Sequence, residues 1–395
     1  GAAALLVERQ LPVDLPQVIV ANSLIALGEL ARMVRLRREV CVIGITGSNG
    51  KTTVKTMLAS ILARHGRTHF SVGSFNNEIG LPLTLLDMPA DSQYVVLEMG
   101  AGKPGDIAYL AHIAIPQVAL VNNVAPAHLL HMGSLDVIAE TKGAIYSLLP
   151  AEGIAVINTD DAYASRFGEL AGGRRMLSFG LRGEVDVGVR TDSIVGQRFT
   201  LLAAGGDIDI ELPLPGRHNI TNALAAAALA LAVGAPLATI KAGLESVPQV
   251  IGRSHRIDHA SGAVIIDDAY NANPVSFAAA VAMLAEQSGM RILVVGDMLE
   301  LGDDSERLHA QLGALAKRSG IDQLHAVGTL SGTAARAFGD GGVHHPDQTT
   351  LIESVRAQLG IGVSVLIKGS HGSAMDCVVR ALLAHDEASG ERHAA

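Results

Sequence analysis

Short runs of β-branched and other apolar residues alternate with amphipathic stretches along the first half of the chain. Residues 41–46 (CVIGIT) are apolar almost throughout, and they are followed by a glycine-rich turn and a helical pattern that begins at Lys51. The strand pattern returns at residues 94–99, 118–122 and 154–158, with helical stretches between the runs. Buried strands that alternate with helices are typical of a parallel sheet covered by helices. This part of the chain is therefore predicted to be α/β.

The pattern changes at residues 184–212, where short alternating segments and glycine turns replace the helical stripe. These segments predict an antiparallel patch attached to the main sheet, and an alanine-rich helix after Asn219 closes the unit. Proline and glycine then interrupt the chain within residues 247–253, where we predict a hinge. A second α/β series begins beyond the hinge, and its strands are predicted at residues 264–267, 292–296, 323–327 and 363–368.

Composition narrows the class of protein. The chain has 395 residues, of which 49% are hydrophobic and 17% charged, so it is long enough for two or three domains and is not a disordered chain, a collagen or a coiled coil. A formal charge of −9 argues against a broad nucleic-acid surface. Two cysteines cannot form a disulfide framework, and no membrane span or export signal is visible. We therefore expect a cytoplasmic protein.

The segment TGSNGKT, residues 46–52, gives the strongest chemical signal. Gly47 and Gly50 allow the backbone to curl so that successive N–H groups face phosphate oxygens at a helix N-terminus. In such a loop Lys51 reaches the β- and γ-phosphates and the Thr52 hydroxyl binds Mg²⁺. The strict phosphate-loop pattern has glycine at position 45, where this chain has Ile45. We therefore interpret the segment as a variant phosphate loop.

Two residues are candidate metal ligands. Glu98 ends the predicted strand YVVLEM, and strand ends in parallel sheets face the ligand crevice. A carboxylate there binds a metal or is an ordinary solvated strand end, and spacing alone does not separate these alternatives. His128 follows another strand end, but a single histidine in a loop is more often surface polarity than a ligand.

Lys142 is an anomaly in the helical pattern. It falls within an apolar stripe formed by Leu135, Ile138, Ile145 and Leu149. Burying an ammonium group is costly unless it is paired or neutralised. The ordinary explanation, which the sequence alone favours, is that the stem packs and the amine reaches water. The alternative is a lysine of lowered pKa that reacts with CO₂ to form a metal-binding carbamate.

Polar residues also cluster at later strand ends and helix starts. The strings GRHNITNALAA and DDAYNANP place asparagines where they either cap helices or hydrogen-bond a nucleobase and ribose. Lys368 and Ser370, in VLIKGSHGSAM, occupy a strand-to-helix turn where they are candidates for contact with an anionic group.

Taken together, the strings TGSNGKT, NNEIGLPLTLL, LEMGAGKPGDI, GRHNITNALAA, DDAYNANP, GDMLELG and KGSHGSAM resemble the Mur ligases. DDAYNANP and GDMLELG resemble most closely the member that adds D-Ala-D-Ala. The resemblance implies three domains: a truncated remnant of a UDP-sugar-binding domain (1–37), a central P-loop ATPase domain with a parallel sheet (38–251) and a C-terminal Rossmann-like α/β domain (252–395).

The resemblance also implies roles for individual residues. The metal ligands implied are Thr52, Glu98, His128 and carbamylated Lys142. The catalytic residues implied are Lys51, Lys142 and His128. The ATP-binding residues implied are Thr46, Gly47, Ser48, Asn49, Gly50, Lys51, Thr52, Asn219, Asn222, Asn271 and Asn273. The substrate-binding residues implied are Asn76, Asn77, Lys368 and Ser370. One departure is Leu130, which stands where the family has glutamate.

The activity implied is an ATP- and Mg²⁺-dependent ligation through an acyl phosphate. It joins D-Ala-D-Ala to UDP-MurNAc-tripeptide to form the pentapeptide precursor of peptidoglycan. We expect a monomer whose partners are these substrates, without nucleic acid or membrane. Two alternatives stay open: another carboxylate–amine ligase of the superfamily, such as a folylpolyglutamate-synthase-like enzyme, and a non-catalytic ATP-binding protein.

Overall fold

A computed structural model of the chain describes residues 1–126 and 129–390, the side chains of 385–390 excepted. The first elements are two short strands, β1 (Leu5–Val7) and β2 (Gln17–Ile19), which pair in parallel, and helix α1 (Ser23–Leu36). The side chain of Asn22 accepts a hydrogen bond from the Ile25 N–H and so caps α1.

A large central unit follows. Its elements are β3 (Cys41–Thr46), α2 (Lys51–Leu62), β4 (Thr68–Phe70), α3 (Gly80–Leu86), β5 (Tyr94–Glu98), α4 (Asp106–Ala114), β6 (Val118–Val121), α5 (Leu129–Met132), α6 (Leu135–Ser147), β7 (Ile154–Asn158), α7 (Ala164–Ala171), β8 (Arg175–Phe179), β9 (Val187–Val195), β10 (Arg198–Ala203), β11 (Gly206–Glu211), α8 (Arg217–Ala232) and α9 (Leu237–Leu244).

The strands of this unit form one sheet in the order β11-β10-β9-β8-β7-β6-β3-β5-β4. Pairing is parallel from β4 to β9 and antiparallel between β9, β10 and β11. One face packs on α2, α8 and α9, where a run of buried alanines in α8 allows close helix packing. The other face packs on α4, α6 and α7, and α1 and α3 extend the same core. The central strand β3 is therefore covered on both sides.

The C-terminal unit is a second α/β layer structure. Its elements are β12 (His255–Asp258), β13 (Val264–Asp268), α10 (Pro274–Ala285), β14 (Met290–Val295), α11 (Ser305–Arg318), β15 (Gln323–Val327), α12 (Ser331–Phe338), β16 (Gly342–His345), α13 (Gln348–Arg356), β17 (Val363–Lys368) and α14 (Met375–Gly390). The strand order is β12-β13-β17-β14-β15-β16, parallel except for the β12–β13 pair. Helices α10, α11 and α12 cover one face, and α13 and α14 cover the other.

The α/β class, the central parallel sheet, the attached antiparallel patch and the C-terminal α/β unit are confirmed. The predicted strands match β3, β5, β6, β7, β13, β14, β15 and β17 to within two residues. The edge strands β4, β12 and β16 were not predicted, because THF, HRID and GVHH lack an apolar run, and the interior strand β8 (RMLSF) was missed as well. The domain borders and the hinge at 247–253 stay predictions. No helix in the described part of the chain has the length and apolarity to cross a membrane.

Candidate active site

A cavity of about 1120 Å³ lies where the carboxyl ends of the two large sheets meet. The central unit contributes the segments after β3, β5 and β6, and the C-terminal unit contributes those after β13, β14 and β17. Ligands of open α/β sheets bind beyond the carboxyl ends of the strands. The cavity is lined by these predicted site residues: Gly47, Ser48, Asn49, Gly50, Lys51, Asn76, Asn77, Glu98, Lys142, Asn219, Asn222, Asn271, Asn273, Lys368 and Ser370. Thr46 and Thr52 are buried behind this lining.

The phosphate loop joins the end of β3 to the start of α2. Gly47 and Gly50 have φ angles of +147° and +78°, which favour glycine. A Cβ at Gly50 would lie 2.4 Å from Oδ1 of Asn222, so the loop also depends on glycine for space. The first N–H groups of a helix have no partner within the helix. The N-terminus of α2 therefore offers donors to an anion, as the sequence predicted for a phosphate loop.

Two ammonium groups converge on one backbone oxygen of this loop. Nζ of Lys51 donates to the Gly47 carbonyl at 2.8 Å, and Nζ of Lys142 donates to the same oxygen at 3.2 Å. Burial lowers the pKa of Lys51, although nearby Glu98 opposes that shift. Burial, together with the charge of Lys51, lowers the pKa of Lys142 much further. The arrangement concentrates positive charge where a phosphate would lie.

The position of Lys142 corrects one expectation from the sequence. Its side chain is only 3% exposed, and its amine lies inside the site, so it does not extend to water at the helix surface. The cause is the rotation of α6, which turns this face toward the phosphate loop, not toward solvent. The carbamate stays a prediction.

Glu98 is a buried carboxylate at the end of β5, with 1% of its side chain exposed. Its Oε2 accepts from the Thr52 hydroxyl at 2.8 Å and lies 3.5 Å from Nζ of Lys55, while its Oε1 accepts from the Asn76 amide at 2.8 Å. Burial, the largest single influence, would raise the pKa of Glu98, but the charges of Lys51, Lys55 and Arg253 and the hydrogen bond from Asn76 together hold the pKa below its usual value. The group is therefore an anion in the site.

The donor set around Glu98 fits Mg²⁺, a metal that prefers oxygen ligands in octahedral geometry. Neighbouring ligands of an octahedral Mg²⁺ lie about 3 Å apart, and the Thr52 hydroxyl and Glu98 carboxylate oxygens are 2.8 Å apart. The buried hydroxyl of Thr46, just before the loop, has no hydrogen-bond partner among the described residues. No group of three or more His, Cys, Asp or Glu side chains suited to a metal occurs in residues 1–126 and 129–384. His128 lies outside the described residues.

Hydrogen-bonded asparagine side chains hold the backbone of the phosphate loop at Asn49. Nδ2 of Asn122 donates to the Asn49 carbonyl and to Oδ1 of Asn222, both at 3.0 Å, and Asn222 donates to Asn219 at 3.1 Å. The Asn49 N–H donates to Oδ1 of Asn123 at 2.8 Å. Oδ1 of Asn122 is buried without a partner among the described residues. Asn219 and Asn222 are thus linked to the phosphate loop through Asn122. Asn122 and Asn123 were not predicted.

The C-terminal unit touches the phosphate loop directly. Nδ2 of Asn273 donates to Oδ1 of Asn49 at 2.7 Å, and Nδ2 of Asn49 lies 3.4 Å from Oδ1 of Asn273. The same Asn273 side chain caps α10 by accepting from the Ser276 N–H at 2.9 Å. The cap and the contact between the units therefore depend on one residue.

The other predicted residues of this unit are engaged within it. Nζ of Lys368 pairs with Asp268 at 2.7 Å and donates to the carbonyl of Asn271 at 2.9 Å. Oγ of Ser370 accepts from the Leu299 N–H at 2.9 Å. Lys368 is therefore not an unpaired cation, and its neutralisation by Asp268 was not predicted from the sequence.

The two asparagines predicted for substrate differ in their surroundings. Asn76 donates to Glu98, as described above, and its carbonyl accepts from the Gly100 N–H at 2.8 Å. Oδ1 of Asn77 accepts from the N–H groups of Ile79 and Gly80 at the start of α3. Both line the cavity, but each also has a structural partner.

Arg253 and Tyr270 are cavity residues that the sequence did not single out. The Arg253 guanidinium lies 4.1 Å from the centre of the Tyr270 ring, within cation–π range, and Tyr270 packs in turn on His371. The charge of Arg253 also acts on Glu98, across from the C-terminal unit. A single arginine after a glycine in VIGRS gave no distinctive motif, which is why it was missed.

The fold and the site define a class of protein: a nucleotide-binding enzyme whose phosphate loop faces a second α/β unit across a shared cavity. A model of the Mur ligase middle domain matches residues 45–230, and a model of the Mur ligase glutamate ligase domain matches residues 252–371. The UDP-N-acetylmuramoyl-tripeptide–D-alanyl-D-alanine ligase of Escherichia coli (strain K12) is 46% identical over 387 residues, which are 97% of this chain and 85% of that protein. The chain belongs to the Mur ligase family.

Solved structures agree with this assignment. MurF from Acinetobacter baumannii matches with a TM-score of 0.90 and 35% identity, over 96% of this chain and 84% of that one. The MurF ligase from Thermotoga maritima, solved in complex with ADP, matches with a TM-score of 0.86 and 28% identity, over 98% of this chain and 90% of that one. The family resemblance inferred from the motifs is confirmed.

Proposed function

We propose that this protein is an ATP-dependent ligase that joins D-Ala-D-Ala to UDP-MurNAc-tripeptide. The observation that supports it most directly is the convergence of Lys51 and Lys142 on the phosphate loop beside the Glu98–Thr52 pair. This arrangement provides cations for a triphosphate and oxygen ligands for its metal, in a cavity large enough for more than one substrate. The D-Ala-D-Ala specificity comes from the relatives named above, together with the motifs they share.

The chemical problem of the reaction is the poor reactivity of a carboxylate toward an amine. Transfer of the γ-phosphoryl group of ATP to the peptide carboxylate gives an acyl phosphate, from which phosphate can leave. The amine of D-Ala-D-Ala then attacks the acyl carbon, loses a proton, and phosphate departs as the peptide bond forms. The first step brings two anions together, so catalysis depends on positive charge held in place.

The chain's own residues supply that charge. Lys51 would exchange its bond to the Gly47 carbonyl for the β- and γ-phosphates, and Arg253 would approach them from the C-terminal unit. When Mg²⁺ is bound, it neutralises charge on the phosphates and the substrate carboxylate. Thr52 and Glu98 would hold it, with His128 and Lys142 as the further ligands that the family resemblance implies.

We propose that Lys142 is carbamylated. Its amine is buried and has one modest hydrogen bond, to an oxygen that Lys51 already occupies. The Lys142 ammonium would first lose one proton, and attack of the resulting neutral amine on CO₂, with loss of a second proton, would replace a second cation with a carboxylate beside Lys51. The like-charge pair would become an ion pair, and the metal would gain an oxygen ligand.

The remaining site residues are assigned to the substrates. Residues 46–52 would bind the phosphates, and Asn219, Asn222, Asn271 and Asn273 are assigned to the adenosine part. Asn76, Asn77, Lys368 and Ser370 are assigned to the sugar-peptide and the acceptor. We propose that the protein acts as a monomer. The location that suits this reaction is the cytoplasm, where ATP is available.

Phosphate release tests the function. The protein is incubated with ATP, Mg²⁺ and UDP-MurNAc-tripeptide, and the acceptor is D-Ala-D-Ala in one series and L-glutamate in a matched series. We expect phosphate release and a new peptide product with D-Ala-D-Ala only. Release with glutamate would support a folylpolyglutamate-synthase-like ligase, and nucleotide binding without release in either series would support the non-catalytic alternative.

Lys142→Ala tests the carbamate. We expect at least a hundredfold loss of activity, because the metal loses a ligand, and partial recovery when short carboxylic acids such as acetate are added. Lys317→Ala, on an exposed face of α11, is the control and should neither lose activity nor respond to acetate. Full activity of Lys142→Ala would refute the role.

A further inference from the structure

Lys55 is a buried cation that the mechanism above does not use. It lies in α2, three residues after Thr52 and four after Lys51, so all three side chains lie on one face of the helix. Only 3% of the Lys55 side chain is exposed. Burying an ammonium group is costly unless specific partners compensate for it, so its partners indicate what it does.

Those partners belong to two different parts of the site. Nζ of Lys55 donates to the carbonyl of Gly73 at 2.7 Å and lies 3.5 Å from Oε2 of Glu98. Gly73 has a φ of +53° and stands in the loop between β4 and α3. Asn76, in the same loop, donates to the other Glu98 oxygen at 2.8 Å. The loop is therefore attached to Glu98 twice, directly through Asn76 and indirectly through Lys55.

From this geometry we propose that Lys55 is a positioning residue that ties the Glu98 carboxylate to the loop of residues 71–79. The loop contains Asn76 and Asn77 and forms one wall of the cavity. The ammonium fixes the loop backbone through Gly73 and supplies a countercharge to Glu98. The rigidity of this loop and the binding of metal by the Glu98 carboxylate are thereby coupled. The inference rests on the proposed function only for the substrates that the wall would contact.

The two contacts of Lys55 predict separable effects. A metal on Glu98 Oε2 would lie about 2 Å from that oxygen, and hence within about 6 Å of Nζ. A positive charge at that distance opposes binding of a divalent cation, even with the dielectric constant of water. Removing the charge should therefore tighten metal binding about tenfold. A residue with a purely structural role would have the opposite effect, because a loosened site binds metal more weakly.

Two variants separate the charge from the hydrogen bond. Lys55→Met removes both, whereas Lys55→Gln removes the charge but keeps a donor for the Gly73 carbonyl. Arg64→Met is the control, because it removes one charge just beyond the far end of α2, from an exposed position. Mn²⁺ serves as the probe, and its binding is followed by electron paramagnetic resonance in the presence of a non-hydrolysable ATP analogue. Hydrogen exchange of residues 71–79 reports on the loop.

We expect both Lys55 variants to bind Mn²⁺ about tenfold more tightly than the unaltered protein, and Arg64→Met to bind it equally. Exchange in residues 71–79 should rise at least tenfold in Lys55→Met and less in Lys55→Gln. The Michaelis constant for UDP-MurNAc-tripeptide should rise in the same order. Unchanged or weaker Mn²⁺ binding in the variants, or unchanged loop exchange in Lys55→Met, would overturn the proposal. Mn²⁺ binding and loop exchange do not require turnover. A failure of the proposed ligase activity would therefore appear separately, as a lack of turnover by the unaltered protein.

Discussion

Removal of one hydroxyl group, in Tyr146→Phe, should destabilise the sheet beneath the active site. Tyr146 is fully buried, and its oxygen accepts from the Val121 N–H at 2.8 Å and donates to the Val156 carbonyl at 2.7 Å. The hydroxyl thus bridges the last residue of β6 and the middle residue of β7. Phenylalanine keeps the ring packing but leaves both backbone groups buried without a partner. At about 1–3 kcal/mol for each of the two unsatisfied groups, the loss should be about 2–6 kcal/mol.

Hydrogen exchange can measure this loss locally, which matters because a protein with several folded units does not unfold in a single step. Amides of β6 and β7 should exchange at least about 30-fold faster in Tyr146→Phe, the equivalent of about 2 kcal/mol. Tyr163→Phe is the matched control, because its hydroxyl bonds to Asp136 on the surface, where the loss should be about 1 kcal/mol or less. Equal exchange in the two variants would refute the reasoning.

Two further predictions follow from the phosphate loop and from the C-terminal unit. Gly50→Ala should weaken binding of a non-hydrolysable ATP analogue at least about tenfold, because the left-handed backbone at this position would strain an alanine by about 1–2 kcal/mol and its Cβ would clash with Asn222. Calorimetric titration measures the dissociation constant. Gly183→Ala is the control, since Gly183 has a similar φ but lies in open space, and this variant should bind the analogue normally. Burial, and then the charge of His345, lowers the pKa of His325 to about 4, so this group takes up protons more readily when unfolded. Stability of the C-terminal unit should therefore fall between pH 6.5 and pH 4, by up to about 1.4 kcal/mol per pH unit. Hydrogen exchange at β15 measures the slope, which a flat profile would contradict and His325→Gln should reduce.

The sequence predicted the fold well where burial is complete. Strands such as β3 are apolar on both faces because helices cover both sides of the sheet, and that constraint leaves a continuous apolar run in the sequence. Edge strands have no such constraint, so β16 (GVHH) gave no signal. The phosphate loop was also predictable, since its glycines, lysine and threonine act within seven consecutive residues.

The rest of the site depends on distances that sequence spacing does not encode. Lys142 was recognised as anomalous, but whether its amine reaches water or the cavity depends on how α6 is rotated against β6. Lys368 looked like a free anion contact, although Asp268, a hundred residues earlier, neutralises it through the pairing of β13 with β17. Arg253 acts on Glu98 only because two separate sheets meet at their carboxyl ends. Each of these facts requires the tertiary structure.

Asn49 shows why a shared cavity suits a reaction with three substrates. Its backbone is held by Asn122 and Asn123 of the central unit, while its side chain bonds to Asn273 of the C-terminal unit. The bond to Asn273 can form only when the two units are this close, and Arg253 approaches Glu98 only in the same arrangement. Loss of the arrangement would therefore remove a cation from the phosphate site and one side-chain bond from the phosphate loop at the same time. Because both depend on the same approach of the two units, we expect activation of the carboxylate to be linked to the position of the unit that faces it, since ATP in an open cavity would lack part of the charge that its reaction requires.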